Sequence, residues 1–96
     1  MSNTKATLLI RERRVLAAGF IEVVVWELPA PLAGSKHSLK YRLAFIVDGV
    51  CVLRYDNEAG KGDHRHLGPV ETPFEFTSVD QLLDDFLSDV ATWKAG

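Results

Sequence analysis

The Asp48-Gly49 dipeptide limits what this chain can fold into more than any other feature. A two-residue Asp-Gly connection favours a type I′ turn, where both central residues take positive φ and the turn's twist matches its strands. The flanking segments, Ser38 to Val47 and Val50 to Tyr55, are rich in β-branched and aromatic residues, so a β-hairpin is expected. A tight hairpin carries its register with it. Val47 is expected opposite Val50, Phe45 opposite Val52, Leu43 opposite Arg54 and Tyr41 opposite Asp56, with Ile46–Cys51, Ala44–Leu53 and Arg42–Tyr55 on the other face. Both faces are apolar near the turn. Lys40, Tyr41, Arg42, Arg54, Tyr55 and Asp56 then gather at the open end.

Around this hairpin the pattern KATLLIRERRVL, Lys5 to Leu16, reads as a strand with Leu8 and Ile10 on one side and Thr7, Leu9 and Arg11 on the other. Ala17-Ala18-Gly19 permits a turn. FIEVVVWEL follows as a second strand, apolar enough at its centre to be covered on both faces. Pro29, Pro31 and Gly34 stop it and make 29–36 a loop. Further on, PFEF reads as a final short strand, and Thr77 or Ser78 can cap a helix with Asp80 or Gln81 completing the box. Val79, Leu82, Leu83, Phe86, Leu87, Val90 and Trp93 then recur at helical spacing, predicting an amphipathic helix over 79–93. The expected architecture is α+β: an antiparallel sheet of four to five strands with one C-terminal helix on one face.

Ninety-six residues, 47% hydrophobic and 25% charged, suit a single domain spanning 1–96. The longest apolar run, Phe20 to Leu28, is interrupted by Glu22 and Glu27 and is far short of the roughly 20 residues a membrane helix requires. The N-terminal segment has no signal-peptide pattern, so a cytoplasmic protein is expected. Cys51 is the sole cysteine, which excludes an internal disulfide; with Val50 and Val52 beside it, a small core residue is expected. The net charge of −2 is unevenly spread. Residues 67–96 hold six acids against one Lys, whereas 36–66 hold six Lys or Arg against four acids, leaving the centre free to face a phosphate.

The segment Tyr55 to His66, YDNEAGKGDHRH, is longer and more polar than a hairpin turn needs. Within it His64 and His66 point to the same side if the backbone is extended. Residue types leave three readings open. In the first, one imidazole removes a proton from a ribose 2′-hydroxyl and the other protonates the 5′-oxygen, with Lys61, Arg65 or Arg54 steadying the phosphorane. In the second, the histidines bind a divalent metal with Asp63, Asp56 or Glu58 completing the shell. In the third they are surface or interface hydrogen-bonders. Gly60-Lys61-Gly62 resembles a phosphate cradle without the spacing of a nucleoside-triphosphate loop. Tyr55 can stack on a base, and Asp63 or Asp56 can orient an imidazole. His37, with no paired residue, reads as a structural or surface histidine, Trp26 and Trp93 as core, and the run Arg11, Arg13, Arg14 as a solvated strand end or a contact for RNA or an acidic partner.

The string YDNEAGKGDHRH, preceded by KYRLAFIVDGVCVLR and followed by PFEFTSVDQLLDDF, resembles the TumE family of small bacterial toxin-antitoxin proteins, and the likeness runs from about Lys5 to Trp93. The resemblance implies the toxin of a type II module and a cognate antitoxin carrying a DNA-binding domain of helix-turn-helix type. It favours the first of the three readings, a ribonuclease without metal or other cofactor. On that reading His64, His66, Lys61, Arg65 and Asp63 do the chemistry, while Arg54, Tyr55, Arg42 and Lys40 hold RNA at the sheet's rim. The alternatives are a metal-dependent nuclease and a non-catalytic protein- or RNA-binding module; a homodimer stays open.

Overall fold

The computed structural model describes residues 5–94 and has the α+β architecture, with six strands rather than four to five. Strands β1 (Thr7–Val15), β2 (Phe20–Glu27), β3 (Leu39–Val47), β4 (Val50–Glu58), β5 (Gly62–Leu67) and β6 (Val70–Pro73) form one antiparallel sheet in sequence order, and helix α1 (Val79–Thr92) follows. Two elements were not anticipated. The polar string is itself a hairpin: β4 runs on through Asn57 and Glu58, turns at Ala59-Gly60-Lys61 and returns as β5. Gly60 and Gly62, at φ 83° and 80°, take the positive angles that make this turn possible. A two-residue Gly68-Pro69 turn, with Gly68 at φ 59°, then adds β6. Phe74-Glu75-Phe76 is not a strand; it leaves the sheet edge toward α1.

The Asp48-Gly49 turn forms as expected, with φ 52° and 78°. Its register holds for Val47–Val50 and Ile46–Cys51 and then slips by one residue at Val52. Beyond that bulge Phe45 faces Leu53, Ala44 faces Arg54, Leu43 faces Tyr55 and Arg42 faces Asp56. Burial explains the slip. Without it Val52 and Arg54 would line the core while Leu53 and Tyr55 faced solvent, because a one-residue shift inverts every side chain. Leu53 and Tyr55 are each 1% exposed, and enclosing both outweighs the local interruption of the ladder. A second bulge between Leu8 and Ile10 sends those residues to opposite faces, so the expected alternation of β1 is not kept.

The core lies on one face only. Ile21, Val23 and Val25 of β2, Tyr41, Leu43 and Phe45 of β3, and Leu53 and Tyr55 of β4 meet Leu82 and Phe86 of α1. β2 is thus covered on one face, not both; Val24 and Trp26 remain half-buried on the other. Ser78 caps α1 by accepting from the Gln81 amide at 3.1 Å, and Trp93 at the far end packs edge-on against Phe45 with centroids 5.6 Å apart. Cys51 lies before the bulge, beyond the reach of α1, and is exposed rather than buried in the core. No helix among the described residues is long and apolar enough to cross a membrane.

Candidate functional site on the open face of the sheet

Alternation along β5 divides the polar string between the two faces. His64 and His66 project to the face away from α1, and Asp63 and Arg65 to the face beneath it. On the open face the strands align side chains in rows. One row runs Ala44, Arg54, His66, Glu71; the next runs Arg42, Asp56, His64, Pro73.

Within these rows the two imidazoles lie 6.4 Å apart, tilted by 47°. Glu71 joins them to a cation: its Oε2 is 3.1 Å from His64 Nδ1, 3.6 Å from His66 Nε2 and 3.5 Å from Lys61 Nζ. Arg54 donates from Nη2 to His66 Nε2 at 3.0 Å, which leaves the His66 proton on Nδ1 in the neutral ring. Arg54 Nε is also 3.0 Å from Asp56 Oδ2, an ion contact without hydrogen-bond alignment. Three buried polar atoms here have no hydrogen-bond partner: Arg54 Nε, Asp56 Oδ1 and His64 Nε2. A buried polar group without a partner costs about 1–3 kcal/mol, and three such atoms lie together here, Arg54 Nε keeping only its ion contact.

The face beneath α1 is different in kind. Asp63 Oδ1 accepts from Tyr41 Oη at 2.7 Å and from His37 Nε2 at 2.9 Å, while the Leu39 amide donates to His37 Nδ1 at 3.2 Å. Those contacts define the His37 tautomer, and the ring lies against Phe76 with centroids 4.1 Å apart and planes tilted by 36°. His37, read as unpaired, is therefore a structural residue with a full set of partners. Tyr55 donates to Asp89 of α1, which also accepts from Arg65 Nη1 at 3.2 Å. Burial, reinforced by Asp63, raises the Tyr41 phenol far above its ordinary value; burial and then Asp89 do the same to Tyr55. The hydrogen bond with Tyr55 raises Arg65 further.

Of the residues singled out in the sequence, His64, His66, Lys61, Arg54, Arg42 and Lys40 share the open face. Arg65, Asp63 and Tyr55 are on the opposite side, where Tyr55 is enclosed by Phe74 and Phe86 and has no ring face left for a base. His64, His66, Arg54 and Arg42 lie across three strands in the body of the sheet rather than at its rim, and only Lys61, in the β4–β5 turn, and Lys40, at the start of β3, lie at the open end. Gly60-Lys61-Gly62 offers no phosphate cradle, since the Gly60 amide donates to Ala33 O at 2.6 Å and the Lys61 amide to Glu58 O at 3.1 Å. Among the described residues no three or more His, Cys, Asp or Glu side chains are arranged to hold a metal ion.

Two residues escaped the sequence reading. Glu71 had a detectable signal: a two-residue Gly-Pro turn after HRHL pairs Val70 with Leu67 and sets Glu71 beside His66. Asn57 had none. Its side chain accepts from the Tyr41 amide at 3.0 Å and donates to Leu39 O at 2.7 Å, splicing β4 to the start of β3.

No curated protein and no solved structure matches the chain. The family model described as Toxin TumE matches residues 3–94, nearly the whole length. With that extent of match the chain belongs to the TumE toxin family, and membership of a toxin family implies an antitoxin partner.

Proposed function

We propose that this toxin arrests growth by cutting RNA in the cytoplasm without a metal, using His64 and His66 as the proton-transferring pair. The ribose 2′-oxygen attacks phosphorus, the bond to the 5′-oxygen breaks, and a 2′,3′-cyclic phosphate and a free 5′-hydroxyl result. One imidazole takes the 2′-hydroxyl proton while the other, as imidazolium, returns one to the departing 5′-oxygen, so protons balance over the cycle. Lys61 and Arg54 carry charge to the phosphorane, and Glu71 orients His64 as a carboxylate orients a catalytic imidazole. Arg65, Asp63 and Tyr55, held beneath α1, have structural parts in this scheme. The observation that supports it is the His64–His66 spacing of 6.4 Å, with a cation on either side. Proton transfer needs each ring nitrogen within roughly 3 Å of its reacting oxygen, a reach that this separation matches for the two oxygens of one phosphodiester. The partner is expected to be an antitoxin with a helix-turn-helix domain that covers this face.

Inducing the chain alone, and then the His64→Ala/His66→Ala variant, with total RNA separated on a gel, tests the proposal. Growth arrest with RNA ending in 2′,3′-cyclic phosphate, insensitive to EDTA and absent in the variant, is the expected outcome. Intact RNA during arrest, or arrest by the double variant, defeats it, and abolition of cleavage by EDTA transfers the histidines to a metal.

A further inference from the structure

We infer that single-stranded RNA lies across the open face perpendicular to the strands, from the histidine pair on β5 to β1, with one base seated on Trp26. The inference rests on the ribonuclease reading and adds where, and in what form, the substrate is held. The rows through the histidines continue across the sheet: His64, Asp56 and Arg42 lead to Val24 and Arg11, and His66, Arg54 and Ala44 lead to Glu22 and Arg13. Strands are about 4.8 Å apart, so Arg42 stands roughly 10 Å from His64 and Arg11 roughly 19 Å, a span of several nucleotides.

Charge supports this occupant. On the β1–β3 part of this face Arg11, Arg13, Lys40 and Arg42 stand against one carboxylate among the described residues, Glu22. The chain's net charge of −2 therefore conceals a cationic stretch of this face, while Glu75, Asp80, Asp84, Asp85 and Asp89 lie on α1 and the segment before it. A phosphate backbone is the complementary surface. Trp26 supplies what a basic patch alone lacks. It stands opposite Lys40 and, with Val24, Tyr41 and Arg42, lines a shallow depression of about 260 Å³. An apolar hollow ringed by cations takes an unpaired base by stacking and its phosphates by charge, and a duplex, whose bases are already stacked, cannot use it.

The test is fluorescence anisotropy with a labelled single-stranded RNA carrying 2′-O-methyl groups throughout, which the proposed chemistry cannot cut. Trp26→Ala is expected to weaken binding about tenfold or more, and Trp26→Phe to restore most of it. Arg42→Gln, at an exposed position that leaves the fold intact, is expected to lower the salt dependence of log K by about 0.7. The matched duplex is expected to bind at least tenfold more weakly than the single strand. Wild-type affinity in both Trp26→Ala and Arg42→Gln overturns the path, as does failure of the unaltered chain to bind the probe, which would give this face to a protein partner. The two proposals fail separately. Cleavage of unmodified RNA with unaltered binding in these variants removes only the path, and Trp26-dependent binding without cleavage removes only the nuclease.

Discussion

Four consecutive residues, Asp63 to His66, supply two histidine–carboxylate clusters on opposite faces of the same strand, and the clusters have opposite characters. Beneath α1, Asp63 is matched by Tyr41 and His37, the His37 ring has both nitrogens engaged, and Arg65 joins Tyr55 in holding Asp89. On the open face Glu71 is shared among His64, His66 and Lys61 at 3.1 to 3.6 Å, and three buried polar atoms lack partners. A fully satisfied polar network fixes a fold, whereas an unfinished one has donors and acceptors left for something else. Both clusters set a histidine beside a carboxylate; what separates them is the completeness of their hydrogen bonding.

The sharpest way to break this contrast is to remove one cluster at a time. His64→Ala with His66→Ala should slow RNA cleavage by a factor of about 10²–10⁴, since general acid–base catalysis is worth that much, and should lower the melting temperature less than loss of Asp63 does, because their partners Arg54, Lys61 and Glu71 keep contact with solvent. A collapse of the fold instead would make the open cluster structural too. Asp63→Ala should do the reverse. It strands the Tyr41 hydroxyl and His37 Nε2, costs about 2–3 kcal/mol, and lowers the melting temperature by roughly 8–20 °C, with cleavage retained at low temperature.

Alkaline titration probes the same side. The Tyr41 and Tyr55 phenols are raised in the folded state above their ordinary 10.0, so their contribution to stability is complete below pH 10 and is lost as pH rises toward the folded values. Each pH unit above 10 should cost up to about 1.4 kcal/mol per phenol, because only the unfolded chain ionises there. Denaturant midpoints followed from pH 8 to 11 would show the fall, and a flat profile would mean that the two hydroxyls are not held as described. The mildest change is Glu71→Gln. Cleavage should drop about tenfold, with stability shifted by less than about 1 kcal/mol, since the Lys61 pair is exposed and the amide oxygen can still meet His64; equal losses in both would erase the distinction between the faces.

How far the sequence could be read depends on the range of each interaction. The Asp48-Gly49 turn and the Ser78 cap are written in neighbouring residues and form as expected. The helix, expected over 79–93, runs Val79–Thr92 with Trp93 as its cap. The β3–β4 register was legible only as far as the bulge, because hairpin rules say nothing of the competition that turns Leu53 and Tyr55 inward. The strand position of Trp26 and the apolar neighbours of Cys51 predict core residues, yet a sheet covered by one short helix has only one dry face. The alternation that put His64 and His66 together also separated them from Arg65 and Asp63, a consequence available in the sequence once 62–67 is recognised as a strand.

By itself the sequence determined the local units: an Asp-Gly hairpin, a capped amphipathic helix and a His-x-His spacing, each dictated by backbone preferences and side-chain periods over a few residues. Tertiary structure alone decided which face of the sheet would be dry, and so which side chains of Tyr55–His66 became scaffold and which stayed open. The physical reason is that one helix can cover one face. Large apolar groups claimed that face at the expense of ideal register, and the polar residues between them were carried to the other side.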